Sequence, residues 1–562
     1  MTTTTLAHDT AADAAREQRW DRLWRRALWA VPLCFGLLSL LMRQDSNWDL
    51  RNYHLYNPFA LLNGKIGLDL APAQMQTYFN PAIDLLYYGL VKSLPGPLAG
   101  FVMGVLHGLN FVLVALLARA LLPPGPARSK LCLGLALAGM FGPAFVSELG
   151  NTMGDNLTAL FVLSSLLLVV HHRGRLADGG GAGLAAAAGL LAGIATGLKL
   201  TNAMYALALC LALLVLPGAP LRRLRTSFVF GLGVLAGIAL SGGFWYWKMW
   251  TLFGNPLFPQ FNAIFHSPLA LPIGVGDMRF LPQGLGDKLL WPFIFAIDPL
   301  RVSEIRLTAL IWPVLYVGFV LLAAHALLRR RAATAAASAT PVRLLWVFVA
   351  LSYLIWLNLF SIYRYLVPLE LLAPLVLWLI AQHLLPGRLA ARIVGVLLVL
   401  AFAASLHTQS WGRAGWAREA YGAQVPAIAN PAQSMVFTLH SDPPMGWLVT
   451  LFPADLAFAA LGSNFPESAG YRERVAQMVA ARSGPLYVLL KGDRALSDPA
   501  PTPARRAAAE AAVRAGWERA RPLLQAHGLA LDSAGCTNHP ARIGRNRMDF
   551  QLCPVSAAAR GR

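Results

Sequence analysis

Apolar runs of roughly 17–24 residues recur along most of this chain, parted by short turns that are often rich in arginine. No other feature narrows the fold as much. A run of that length crosses the hydrocarbon core of a bilayer as a helix, because only internal hydrogen bonds satisfy the backbone where water is absent. Composition agrees. Hydrophobic residues make up 56%, charged residues 13%, and mean hydropathy is +0.52, whereas an ordinary soluble domain is about 25% charged. The expected class is an all-α polytopic membrane protein, integral to the membrane.

About eleven spans are expected, at 26–42, 98–122, 131–147, 156–172, 182–198, 202–217, 227–247, 307–328, 343–360, 366–384 and 393–408. A net charge of +20 is also a mark of nucleic-acid binders, but the arginines sit where span orientation would put them. Arg22, Arg25 and Arg26 lead the first span, and Arg119, Arg128, Arg173, Arg175, Arg222, Arg223, Arg225, Arg329–Arg331, Arg388 and Arg392 all fall at span ends or turns of the same face. By the positive-inside rule that face is cytoplasmic, so no nucleic-acid partner is expected. Residues 1–23 then form a polar cytoplasmic tail with no cleavable-signal pattern. Two long loops, 43–95 and 248–304, and a tail, 409–562, fall on the opposite, periplasmic side.

Within the first loop, 82–94 is interrupted by Asp84 and Lys92 and followed by Pro95, and reads as a helix on the membrane surface. The tail has ordinary charge density, a strand-like PLYVLL at 485–490 and an Ala/Arg-rich helical stretch at 504–526. It is expected to be a small α+β domain. Its Cys536 and Cys553 either pair or stay free, whereas Cys34, Cys132 and Cys210 lie in spans. Gly100, Gly104 and Gly108, like Gly233 and Gly237, have the small-xxx-small spacing of helix contacts in lipid. No Walker loop, HExxH or paired CxxC is present.

The densest polar stretch is DSNWDLRNYHLYNPFALLNGKIGLDLAPAQMQTYFNPAIDLLYY, residues 45–88. A connection between two helices does not need such chemistry. Asp49 and Tyr53 lie one helical turn apart. A carboxylate just outside the membrane accepts a proton from a hydroxyl nucleophile; the plainer alternative is that Asp49 caps the following helix. His54 is a candidate for phosphate or sugar contact, or for packing. On the same face, Glu148, Asn151, Asp155 and Asn156 join two spans and either bind sugar hydroxyls or cap the next helix. Lys199 and Arg364 stand at span ends where orientation alone would not place them. They suit a phosphate leaving group; alternatively, Lys199 snorkels to headgroups and Arg364 pairs with Glu370. Segment 254–262, GNPLFPQFN, reads as turns plus an apolar interfacial helix that cover a lipid groove.

Asp49-Leu-Arg-Asn-Tyr53-His54, Gly64 and Tyr78-Phe-Asn80-Pro81, with GLKLTNAMYAL at 197–207 and SIYRYLVPLE at 361–370, resemble the GT-C class of membrane glycosyltransferases. The likeness covers roughly residues 24–408 and is nearest the polyprenyl-phosphate-mannose branch. It implies an inverting transfer at the periplasmic face of a bacterial inner membrane. The donor would be a polyprenyl-phosphate sugar and the acceptor a glycan or lipid-linked molecule. The resemblance puts Asp49, with Asp45 as competitor, in the role of base. Tyr53, His54, Asn80, Glu148, Asp155, Lys199 and Arg364 become substrate-binding candidates, and no cofactor or metal is expected. The rival readings are a lipid-saccharide flippase, a polysaccharide polymerase or ligase, and a non-catalytic scaffold displaying the tail.

Overall fold

A computed structural model describes residues 3–274, 277–328, 340–439 and 442–557. The Arg329–Arg331 turn and the Ala/Thr-rich segment after it lie outside the described residues. Among those described, seven helices are long and apolar enough to cross a membrane: Glu17–Met42, Gly96–Leu121, Pro220–Phe253, Ile311–Leu328, Pro341–Leu359, Tyr363–Leu384 and Gly387–Ser405. These mark a multi-pass membrane protein. Asp155–His171, Ala182–Leu198 and Leu200–Val215 are apolar but shorter. The ten together coincide with ten of the expected runs. The remaining one, 131–147, is broken into Arg128–Gly139 and Pro143–Ser147. Pro143 opens the second piece, where its missing N–H costs nothing.

The chain divides into two compact units. The first comprises Met1–Met42, Phe101–Gly242 and Gly276–Trp411 and is helical. Glycine spacing sets its closest contacts. A Cβ built on Gly189 or Gly193 would lie 2.0 or 2.1 Å from the carbonyl oxygens of Phe230 or Val234. One built on Gly233 or Gly237 would meet those of Ala186 or Leu190 at 2.2 or 2.3 Å. Helices Ala182–Leu198 and Pro220–Phe253 therefore touch backbone to backbone, as the small-xxx-small pattern predicts. Gly104 and Gly108 admit Phe35 and Pro32 of the first helix in the same way. Gly100 differs: it accommodates the Trp416 ring, not another helix.

The second unit comprises Arg43–Gly100, Gly243–Val275 and Gly412–Arg562. It gathers the first long loop, part of the second and the tail, a grouping that sequence order does not reveal. Its centre is a mixed sheet of β1 (Met435–Leu439), β2 (Ala457–Leu461), β3 (Leu486–Lys491), β4 (Leu529–Leu531), β5 (Thr537–His539) and β6 (Phe550–Ala557). The order is β2-β1-β3-β6-β4, with β5 also on β6. β1 pairs in parallel with both β2 and β3, and β6 is antiparallel to its neighbours. MVFTL and AFAAL are buried throughout, as parallel strands covered on both faces are. The expected strand forms as β3, and the expected helix as Pro503–Gln525. Cys536 and Cys553 form a disulfide across a 17-residue separation. Segment 82–94 becomes the ten-residue helix Asp84–Ser93.

The loops attach at the β2 edge. Leu70 bridges Ala459, with its N–H on Phe458 O (2.8 Å) and its carbonyl taking Ala460 N–H (2.9 Å). Beside it, Asp69 accepts from Phe458 N–H (2.9 Å) and Tyr56 OH (2.8 Å) and pairs with Lys65 Nζ at 3.2 Å. Lys65 also donates to Leu456 O at 2.6 Å. Both members of this pair are fully buried. Rings from all three segments close the core: Phe253 stacks on Phe258 at 4.3 Å, Tyr78 meets Phe258 edge-on at 4.7 Å, and Phe465 of the tail lies 5.8 Å from Tyr78. In the second loop Gly254 takes a φ of +65°, and Asn255 Oδ1 accepts Leu257 N–H, the turn chemistry expected of GNP.

Two outcomes follow. Gly193→Val, which forces the two helices apart, should cost about 1–3 kcal/mol or more of stability. Gly231→Ala, with open space around its Cβ, should cost little; equal thermal midpoints in detergent would overturn this contact. Burial holds Asp69 above the usual carboxylate range, at about 6, against the opposing pull of Lys65. The folded state thus binds more protons than the unfolded between about pH 4 and 6, and stability falls as pH rises through that window. Asp69→Asn should flatten that slope, and Lys65→Met should destabilise by about 3–5 kcal/mol.

Candidate active site

Within the helical unit, four of the predicted residues converge. Lys199 Nζ lies 2.6 Å from Asp155 Oδ2, and Arg364 Nη1 lies 3.7 Å from the same oxygen. Lys199 also donates to Met153 O at 2.8 Å. The Tyr365 ring faces both cations, 5.2 Å from Lys199 Nζ and 5.1 Å from the Arg364 guanidinium. Glu148 is fully buried and receives no N–H or O–H from the described residues. Its carboxyl meets that of Asp155, a contact that is a hydrogen bond only when one of the two carries a proton. Burial first, then the Asp155 charge, raises Glu148 well above the usual carboxylate range, outweighing Lys199 and Arg364. Burial thus favours the neutral form of Glu148 beside the contact that Asp155 makes with Lys199 and Arg364.

Local sequence places each member. Gly154, at φ +85°, lets Asp155 open helix Asp155–His171, where the helix dipole favours a carboxylate. Asn202 Nδ2 donates to Ala195 O and Lys199 O, ending helix Ala182–Leu198 so that Lys199 leaves it extended. Ser361, at φ +49°, turns the chain after Pro341–Leu359 into Tyr363–Leu366, which carries Arg364. The capping alternatives are not what forms. Neither Asp155 nor Asn151 caps the helix; Asn151 Oδ1 instead accepts Met153 N–H. Arg364 pairs with Asp155 and not with Glu370.

Glu370 has a different task. Its carboxylate accepts the N–H groups of Ala144 (3.2 Å) and Phe145 (3.0 Å) and the hydroxyl of Tyr363. It thereby caps Pro143–Ser147, whose C-cap residue is Glu148. Gly142 is required there, since a Cβ would sit 2.1 Å from Glu370 Oε1. Sequence reasoning also missed His107 and Asn110, both fully buried in Gly96–Leu121. His107 Nδ1 accepts Gly150 N–H (3.2 Å), and Asn110 Nδ2 donates to Asn156 O (2.8 Å), while Asn156 reaches Phe145 O (3.0 Å). This network fixes the loop bearing Glu148. Its signal was present as two polar residues three apart inside an apolar run.

The remaining candidates belong to the second unit. Asp45 is buried and accepts three hydrogen bonds from Asn47, at 3.0, 2.9 and 3.0 Å. Asn47 Oδ1 in turn accepts Leu50 N–H at 2.7 Å, so the capping role imagined for Asp49 falls to Asn47. Asp49 is half-buried, makes no cap bond and leads into Leu50–His54, a π-helical turn of the kind often found at functional sites. His54 Nδ1 lies 2.6 Å from Asp84 Oδ1, with both groups buried. Facing a carboxylate, that nitrogen is the donor, and Nε2 has no partner among the described residues. Tyr53 packs against His54 and Phe79. Asn80 accepts Ala82 N–H as a cap.

No family model matches the chain, and no curated protein is similar to it in sequence.

Glu148→Gln keeps the shape of a protonated carboxyl and should leave the thermal midpoint at neutral pH nearly unchanged. Asp155→Asn removes the carboxylate that Lys199 and Arg364 share and should destabilise by roughly 3–5 kcal/mol. The reverse order in a melting series would show that Asp155, not Glu148, carries the proton.

Proposed function

We propose that this chain is a membrane glycosyltransferase of the GT-C type that moves a sugar from a polyprenyl-phosphate donor to a glycan or lipid-linked acceptor. The observation that carries the reading is the convergence of Lys199 and Arg364 on Asp155 beside the buried Glu148. A departing phosphate needs such an arrangement of cations, and a guanidinium offers it two parallel hydrogen bonds.

In this reading Asp49 accepts the proton of the acceptor hydroxyl. The freed oxygen pair attacks the anomeric carbon from the face opposite the phosphate, and the bond from that carbon to the phosphate oxygen breaks. The phosphate leaves with the bonding electrons, and the anomeric configuration inverts. Asp45 is a weaker candidate for the base because Asn47 already occupies both its oxygens. His54, oriented by Asp84, offers Nε2 to a substrate oxygen. The eleven-span count, the cytoplasmic N-terminus and the periplasmic tail belong to the same proposal. The Cys536–Cys553 disulfide supports a tail in an oxidising compartment.

A lipid-saccharide transporter is the second reading. It is favoured by Glu370, which is buried inside an apolar helix and caps a broken segment, an arrangement common where substrates cross membranes.

Mass spectrometry of polyprenyl-linked sugars and envelope glycans separates the two. Proton transfer by a placed carboxylate is worth about 10²–10⁴-fold, so Asp49→Asn should leave the same acceptor one sugar short as the gene deletion does. A deletion phenotype that Asp49→Asn does not share, in protein that is made and inserted, would remove the base role and favour transport.

A further inference from the structure

The second unit contains a cavity of about 320 Å³ that the catalytic reading does not use. One wall is the last turn of helix Asp84–Ser93 with the residues after it, and another is the stretch from Arg418 to Tyr421. That volume falls at the lower end of small-ligand sites. Leu55 and Leu451 give the cavity an apolar side, while Tyr88, Ser93, Tyr421 and Thr450 bring an aromatic face and hydroxyls.

Its charge is one-sided. Lys92 and Arg418 both line it, from two different segments, and among the described residues neither takes part in an ion pair. The acidic member, Glu419, is held instead by Arg542 at 3.1 Å. Lys92 Nζ stands 5.5 Å from the centre of the Tyr88 ring.

The walls are also fixed. Gly96 N–H donates to Arg418 O, Gln44 Nε2 to Ala420 O and Gly544 N–H to Ala420 O, each at 2.8 Å. A Cβ on Gly96 would come within 2.6 Å of Ala417 O, so these strands of chain meet closely only because that residue is glycine. The hydroxyls of Tyr87 and Tyr421 are 2.7 Å apart. A ligand entering here finds its partners already ordered, which lowers the entropic cost of binding.

We infer that this cavity binds a saccharide bearing a carboxylate or phosphate, with Lys92 and Arg418 on the anion and Tyr88 against a sugar face. An aromatic face beside hydroxyls and apolar side chains suits a sugar ring, which presents C–H on one side and O–H at its rim. An inorganic anion alone would use the cations and leave the rest idle. Trp447 and Tyr471 of the tail are core residues and offer no face to a sugar. In the transferase reading, on which only this assignment of role rests, the cavity holds the anionic part of the acceptor.

The test is calorimetric titration of the full chain in detergent micelles with a uronic-acid disaccharide. Its neutral counterpart, inorganic phosphate and phosphatidylglycerol vesicles serve as competing probes. Saturable binding of the acidic disaccharide is expected. Lys92→Gln and Arg418→Gln should each weaken it about tenfold or more. Tyr88→Ala should weaken it while leaving any phosphate binding unchanged. Absence of saturable binding would overturn the proposal, as would equal affinity for the neutral disaccharide. Inorganic phosphate matching the disaccharide would reduce the cavity to an anion site, and vesicles displacing it equally well would make the cations lipid-headgroup contacts. Running the titration on Asp49→Asn protein as well as wild type reads binding without turnover, so a failed transferase reading leaves this result intact.

Discussion

Asp155 stands between two cations at the end of the apolar helices, and the polar part of the helical unit is arranged around that contact. Lys199 and Arg364 repel each other, and neither is well solvated there; their side chains are only 16% and 14% exposed. A carboxylate at a helix N-terminus answers both and is itself steadied by the helix dipole. Burial and the neighbouring Asp155 charge both disfavour a second ionised carboxylate there, which raises Glu148 above the usual carboxylate range. The charge state of four side chains is thus one coupled arrangement. Glu370, His107 and Asn110 serve it by holding the backbone on which Glu148 and Asp155 ride.

The second unit solves a related problem differently. Its loops carry many polar groups, and a loop without secondary structure must find partners for each backbone N–H and carbonyl. Residues near Leu70 do so by joining the edge of β2, which also covers an edge that would otherwise be open. The fully buried Lys65–Asp69 pair then ties the helical turn at 65–67 to the strand, and the tyrosine and phenylalanine rings fill the space behind it. Such a pair adds little net stability compared with apolar packing, but losing one partner leaves the other charged and alone. It therefore enforces one register between loop and sheet.

Much of this was legible in the residues. Ten of the expected apolar runs are helices because hydrophobic length and helix formation are coupled inside a membrane. The glycine spacing gave the contact between Ala182–Leu198 and Pro220–Phe253, and β3 and the helix Pro503–Gln525 were visible in composition. Glu148, Asp155, Lys199 and Arg364 were identifiable because charge is rare near such spans. Their pairing was not. Glu370 lies six residues from Arg364 and was the nearer guess, yet Tyr363 and the N-terminus of Pro143–Ser147 claim it. The run 131–147 also hid its break, since glycine and proline such as Gly142 and Pro143 are tolerated inside membrane helices.

What the sequence determined by itself was the solvent of each segment. Hydropathy says which stretches must satisfy their backbone as helices, and the rare charges mark where chemistry can gather. Only the tertiary structure decided the partners. Ion pairs, caps and parallel strand neighbours join residues tens to hundreds of positions apart, as Asp69 joins Phe458 and Glu370 joins Phe145. No local pattern encodes such a choice, because each buried polar group takes the partner that the packed chain brings within hydrogen-bond reach.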